Sequence, residues 1–287
     1  MTTSLQPQDS QIASSAAERS RIAMQNLKRR QIMVNFWRIM IAVVVLGGWE
    51  INSRLHSKTA FFWSMPSKIG TQVWTWMIEG TSQGSLWAQI GVTMEETVIG
   101  FLLGAVGGII GGILLGRNRM LADVFSVYIK IANSIPRVVL GSIFIIVLGL
   151  GMASKVALAF VMVFFVVFGN AFQGVREADR NLIANARILG ASNRQVTTSV
   201  VIPSALSWIT ASLHVSFGFA LVGAVVGEFL GSRQGIGLLI ATAQGSFNSA
   251  GVFASMFILA VVALIAEGLI TLLENAVLKW RPTVTLE

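Results

Sequence analysis

Five ionisable side chains, Lys130, Arg137, His214, Glu228 and Glu267, stand inside long apolar runs. A charge at that depth must face a bundle interior, an aqueous path or an opposite charge. Arg137 follows Pro136, a residue that breaks helices and frees backbone carbonyls, so its guanidinium could attract an anion or pair with Glu228 or Glu267. Glu228, between Gly227 and Gly231, could line an outer mouth, with Arg137 or Arg233 as a cation for it, or contact a docked protein. His214 fits a hydrogen-bonded interior position, and with His56 the only other histidine, imidazoles cannot assemble a metal cluster. Lys130 reads as snorkelling towards the interface, and Glu95 and Glu96 as solvated residues ahead of an apolar run. Bond-breaking chemistry is disfavoured because cysteine and His-Glu-x-x-His are both absent. Without a Gly-Lys dipeptide no phosphate-cradling P-loop can form, so no ATP or Mg²⁺ site, and no other cofactor, is expected in this chain.

The elements that position these residues follow from hydropathy. With 54% hydrophobic and 12% charged residues and a mean hydropathy of +0.72, the chain carries about half the charge of a soluble domain. An all-α membrane protein of about six transmembrane helices is the expectation, with spans at 34–53, 97–116, 124–148, 155–175, 204–229 and 250–275. Residues 1–33 read as a disordered or loosely helical basic tail, and 34–282 as the transmembrane domain. The net charge of +8 marks topology rather than nucleic-acid binding, because Lys and Arg collect on alternate connections. Arg19, Arg21, Lys28, Arg29, Arg30, Arg117, Arg119, Arg176, Arg180, Arg187, Arg194, Lys279 and Arg281 fall on one side, which places both termini in the cytoplasm. Arg54, Lys58, Lys68, Lys155 and Arg233 remain outside. Residues 66–78, with Trp74 and Trp76, suit an interfacial amphipathic helix or an outer loop packed on the bundle. The second span carries seven glycines from Gly100 to Gly116, the mark of a helix packed closely among others.

The connection at 177–200 has a construction that a plain loop does not need. Asp179 is placed to cap a short helix whose apolar residues Leu182, Ile183, Ala186 and Leu189 share one face. Gly190 can end that helix in a left-handed conformation, and Ser192 with Gln195 reads as a capping box opening the next. Pro203 marks a break before the fifth span. Two short helices meeting at a glycine elbow, flanked by Arg187 and Arg194, suit a docking surface for another protein.

The spacing Ala-x-x-x-Gly-x9-Val-x-Ile-Pro, from Ala186 through Gly190 to Val200, Ile202 and Pro203, resembles the cytoplasmic signature loop of binding-protein-dependent ABC importer permeases. Ala191-Ser192 strengthens the match, whereas Ala184-Asn185-Ala186 replaces the family's leading Glu-Ala-Ala. Segments at 149–155, 226–231, 235–238 and 279–282 are similar to the nitrate, sulfonate and taurine branch, although Ser142 stands where a second proline is usual there. The resemblance implies a type I importer permease fold and a multi-pass protein of the bacterial inner membrane. It also implies a homodimer, two ATPase subunits that bind ATP and Mg²⁺ and contact the 177–200 loop, and an external solute-binding protein. The expected function is import of a small anionic or polar solute by alternating access, with Arg137, Ser142, His214 and Glu228 as pathway candidates. The alternative is an ion-coupled secondary transporter, a class that often shows internal repeats not evident here.

Overall fold

The computed structural model describes the backbone of residues 6–277 and the side chains of 28–272, apart from Ser57, Thr59, Ala60 and Arg180. The Arg19 and Arg21 side chains and the closing 279–282 segment fall outside that range. No strand occurs among the described residues. The chain divides into two compact units, 1–67 and 68–287.

The first unit contains α1 (Gln6–Leu55) and α2 (Ser57–Trp63). α1 begins within the segment read above as a tail, and its Lys28–Leu55 portion is apolar enough to cross a membrane. Ile39, Val43 and Leu46 project outward from it, as a lipid-facing helix requires. Near its end the Glu50 carboxylate accepts from Arg54 (2.7 Å) and from the hydroxyl (2.8 Å) and amide (3.0 Å) of Ser67. An acid inside the first span is thereby fully engaged.

The second unit holds the remaining spans. α3 (Pro66–Ile78) buries Ile69 and Val73 and exposes Trp74, the amphipathic form expected of an interfacial helix. A turn bridged between Thr81 and Gly84 joins it to α4 (Leu86–Arg117). Gly80-Thr-Ser-Gln-Gly84 has the lettering of a Gly-x-Ser-x-Gly nucleophile elbow. That motif requires a strand feeding a helix, and here the pentapeptide lies between two helices.

α4 packs along α7 (Met152–Arg176) through a ladder of glycines. A methyl group on Gly104, Gly108, Gly112 or Gly116 would approach the Cβ of Val163, Val167, Ala171 or Val175 within 2.6–2.9 Å, and one on Gly100 would collide with Ala159. Both rows advance by four residues, so the backbones run in contact from Gly100 to Gly116, about four and a half turns. Beside the ladder, Phe160, Phe164, Phe168 and Phe172 stack at centroid separations of 5.6–6.1 Å, and Gly107 and Gly111 leave room for their rings. α10 (Ile202–Leu230) closes the core against both helices: Gly174 of α7 meets Ala205, Gly223 meets the Ala159 backbone, and Phe101 of α4 meets Phe217 edge-on.

The expected third span is a bent pair. α5 (Arg119–Ser134) ends at Ile135-Pro136, a short 3₁₀ turn covers Arg137–Val139, and α6 (Leu140–Leu148) departs at 75°. Proline excludes the helical region for the residue before it, and Ile135 is extended at φ −76°, ψ 124°. Among the described residues five helices are long and apolar enough to cross a membrane, and six spans result when the bent pair counts as one.

One further expectation is corrected. Pro203 does not break the chain before the fifth span, since Asn193–Leu230 is one helical run with a π turn at Thr197–Val201. Proline clashes with the carbonyl four residues earlier, here Ser199, and the wider π turn lies at that position. The connection after α10 contains a short apolar helix, α11 (Ile236–Gly245), before α12 (Ser249–Val277). At ten residues α11 is too short to cross a bilayer.

Candidate functional site

The elbow at 177–203 is built by local hydrogen bonding. α8 (Arg180–Ile188) starts where the Asp179 carboxylate accepts from the Asn181 amide (2.7 Å). It ends in a Schellman motif: the Gly190 amide donates to the Arg187 carbonyl and the Ala191 amide to the Ala186 carbonyl, both at 3.0 Å. Gly190 has φ +85°, the left-handed conformation that glycine adopts without strain. α9 (Asn193–Val196) opens with the anticipated capping box, in which the Gln195 amide donates to the Ser192 hydroxyl and the Ser192 amide to Gln195 Oε1 (2.8 Å). Ile183 and Ala186 turn inward on a cluster with Val196, Val201 and Ala205. Ile188 and Leu189 are 82% and 87% exposed at the tip, with Arg187 and Arg194 beside them.

A second constellation lies at the opposite ends of α4, α7 and α10, and sequence reading missed most of it. Glu228 is fully buried. Its Oε1 accepts from the Thr93 hydroxyl and its Oε2 from the Gly237 amide, both at 2.7 Å. The Thr93 hydroxyl accepts in turn from the Ile236 amide (2.9 Å), and Gln89 Oε1 accepts from the Gly235 amide (2.7 Å). Gln89 Nε2 donates to the Gln83 carbonyl (2.9 Å). Lys155, also fully buried, donates to the carbonyls of Leu150 (2.6 Å) and Gly151 (3.1 Å), and lies within Coulombic reach of Glu228 and Glu96. Glu96 sits beside Glu228 with one buried carboxyl oxygen unpartnered. This knot clamps three successive amides at the start of α11 to α4 and α10. Gly235, at φ +108°, permits the approach, because a side chain there would collide with the Glu228 carboxylate.

Three expectations are thereby overturned. Glu96 is buried inside α4, which begins at Leu86 rather than near residue 97, so it is not solvated at an interface. Lys155 is a buried core residue rather than a loop charge. Glu228 pairs with neither Arg137 nor Arg233; its partners come from α4, α7 and α11. A signal was present, since Gln89, Thr93 and Glu96 fall at i, i+4 and i+7 on one helical stripe.

The other pathway candidates are dispersed. Arg137 Nη2 donates to Asn133 Oδ1 (2.9 Å) and its guanidinium lies over the Phe165 ring at 5.3 Å, so it pairs with neither Glu228 nor Glu267. Ser142 is exposed on α6. His214 Nε2 on α10 stands 3.4 Å from Glu267 Oε1 on α12, beside a cavity of about 240 Å³ also lined by Phe217, Leu221 and Ala263. Among the described residues no group of three or more potential metal ligands gathers.

Comparison with known proteins gives concordant matches. The family described as "binding-protein-dependent transport system inner membrane component" matches residues 104–279. A putative aliphatic sulfonates transport permease protein of Bacillus subtilis is 30% identical over 243 residues, 85% of this chain and 87% of that protein. A formylaminopyrimidine transport permease protein of Halalkalibacterium halodurans is 28% identical, covering 81% of this chain and 91% of its own length. An inward-facing structure of a methionine ABC transporter superposes with a TM-score of 0.57 at 19% identity, over 68% of this chain and 94% of that one.

Proposed function

The chain belongs to the binding-protein-dependent inner membrane components and is a multi-pass permease subunit of an ABC importer, and on that premise we propose that it moves a small polar or anionic solute inward by alternating access. A separate ATPase, binding ATP and Mg²⁺, drives the cycle. A second copy of the chain, two ATPase subunits and an external solute-binding protein complete the assembly.

The observation that carries this reading is the elbow. Apolar Ile188 and Leu189 project from an otherwise polar segment, where isolated exposure has no structural benefit and docking into a partner's groove does. Asp179, Gly190 and Ser192 hold that tip at a fixed angle, while Ala184, Ala186, Arg187, Ala191 and Pro203 frame it. The tip continues through the π turn into α10, so a push on it reaches a membrane helix without a flexible joint. Support for the solute class comes from the sulfonate-named relative, and the formylaminopyrimidine-named relative extends it to polar organic molecules. The His214–Glu267 cavity between α10 and α12 is the candidate pathway lining.

Purification in mild detergent tests the reading. An ATPase is expected to co-purify with the wild-type chain and to be lost from Leu189→Asp. Uptake driven by an ion gradient, with no ATPase bound to the wild type, would favour a secondary carrier and overturn it.

A further inference from the structure

Beside the elbow lies an open cavity of about 550 Å³, with Arg117, Arg119, Arg176 and Arg187 on its wall together with Asn193 and Thr197. The four arginines come from four elements: the last residue of α4, the first of α5, the last of α7, and α8. Among the described residues no carboxylate lines the cavity, and none of the four guanidiniums forms an ion pair. Arg176 is steadied by the face of the Phe172 ring, 5.5 Å away. Four like charges around one space repel each other unless an anion joins them. Guanidiniums, each a planar fork of donors, match phosphate oxygens in pairs.

We propose that this cavity is a binding site for a phosphate-bearing anion and that its occupant is the headgroup of an anionic phospholipid. Depth decides for the lipid over a free anion. Arg117 and Arg176 end membrane-crossing helices and Arg119 begins an amphipathic one, α5, which exposes Met120, Val124 and Tyr128 to the apolar side. A headgroup at the end of the hydrocarbon meets the arginines while its acyl chains lie along α5. Bound there, the lipid bridges α4, α5, α7 and α8 and braces the elbow. The site requires no ATPase, so its test is independent of the coupling proposal.

The test uses the purified full chain in neutral detergent, titrated with phosphatidylglycerol, phosphatidylcholine or inorganic phosphate, with bound lipid read by native mass spectrometry. Phosphatidylglycerol is expected to bind in preference to phosphatidylcholine. The Arg117→Gln, Arg176→Gln double variant is expected to weaken it about thirty-fold, each basic side chain being worth about five-fold. Arg29→Gln, Arg30→Gln removes the same charge from residues that do not line the cavity and is expected to leave binding unchanged. Should the first double variant fold poorly, Arg117→Lys, Arg176→Lys keeps the charge and is expected to lose several-fold through the missing bidentate contacts. Equal losses in the two glutamine variants, or no preference for the anionic lipid, overturns the proposal. Protection by inorganic phosphate with no phosphatidylglycerol bound overturns the lipid as occupant.

Discussion

Replacing Glu228 by Gln preserves shape and removes one charge from the buried knot. Gln can still accept from the Gly237 amide through its oxygen and turn its amide group to the Thr93 hydroxyl, which then donates to the Gln89 carbonyl 3.1 Å away. The hydrogen bonds therefore largely survive, and the loss is electrostatic. Lys155, fully buried, keeps only two carbonyls and Glu96 around its ammonium group. A carboxylate within Coulombic reach of a buried ammonium but outside direct ion-pair distance contributes up to about 3 kcal/mol at an effective dielectric of about 20, and that is lost. Glu228→Leu adds one orphaned donor, the Gly237 amide, at about 1–3 kcal/mol, because Thr93 can still donate to the Gln89 carbonyl. Glu96→Gln behaves oppositely: it keeps the shape of a side chain that already leaves one carboxyl oxygen unpartnered, so stability should change by less than about 1 kcal/mol. Thermal unfolding of the purified protein in nanodiscs separates these outcomes, since about 3 kcal/mol corresponds to roughly 6–12 °C in a domain of this size. An unchanged midpoint for Glu228→Gln, or a large drop for Glu96→Gln, would refute the assignment of charge roles within the knot.

Gly237→Ala should destabilise the same corner, because the added methyl meets the Glu228 Cβ at 2.7 Å as well as the Val225 carbonyl; a lower unfolding midpoint checks it. Gly104→Ile should block α4–α7 packing and abolish accumulation of folded protein, whereas Gly47→Ala, with open space around it, should be silent in the same expression assay. Gly190→Val forces a β-branched residue into a left-handed site at a cost of roughly 1 kcal/mol or more. It should leave membrane insertion intact while uncoupling ATP hydrolysis from solute uptake, and normal coupled transport would refute the elbow's role. Arg137→Gln should lower uptake without lowering stability if the half-exposed guanidinium serves the pathway; equal uptake in vesicles removes it from the candidates.

Local chemistry was legible in the residues themselves. Apolar runs of near-spanning length located every membrane segment, because lipid leaves the backbone no other way to satisfy its hydrogen bonds. The elbow could be read cap by cap, since Asp179, Gly190, Ser192 and Gln195 bond only to neighbours within a few positions. The glycines of α4 announced close packing but not its partner; that the ladder meets a row on α7 some sixty residues on is a fact of tertiary register. The knot was hidden for the same reason. Glu96 and Lys155 looked like solvated ends of spans because the helices were read as beginning at the edge of their apolar runs, whereas α4 begins at Leu86 and α7 at Met152, and burial follows the neighbours rather than hydropathy. Glu228 bonds to Thr93 across 135 positions, and Gly235 to Gln89 across 146. Only the folded bundle brings those groups together, where the absence of water makes each bond and each charge costly to lose.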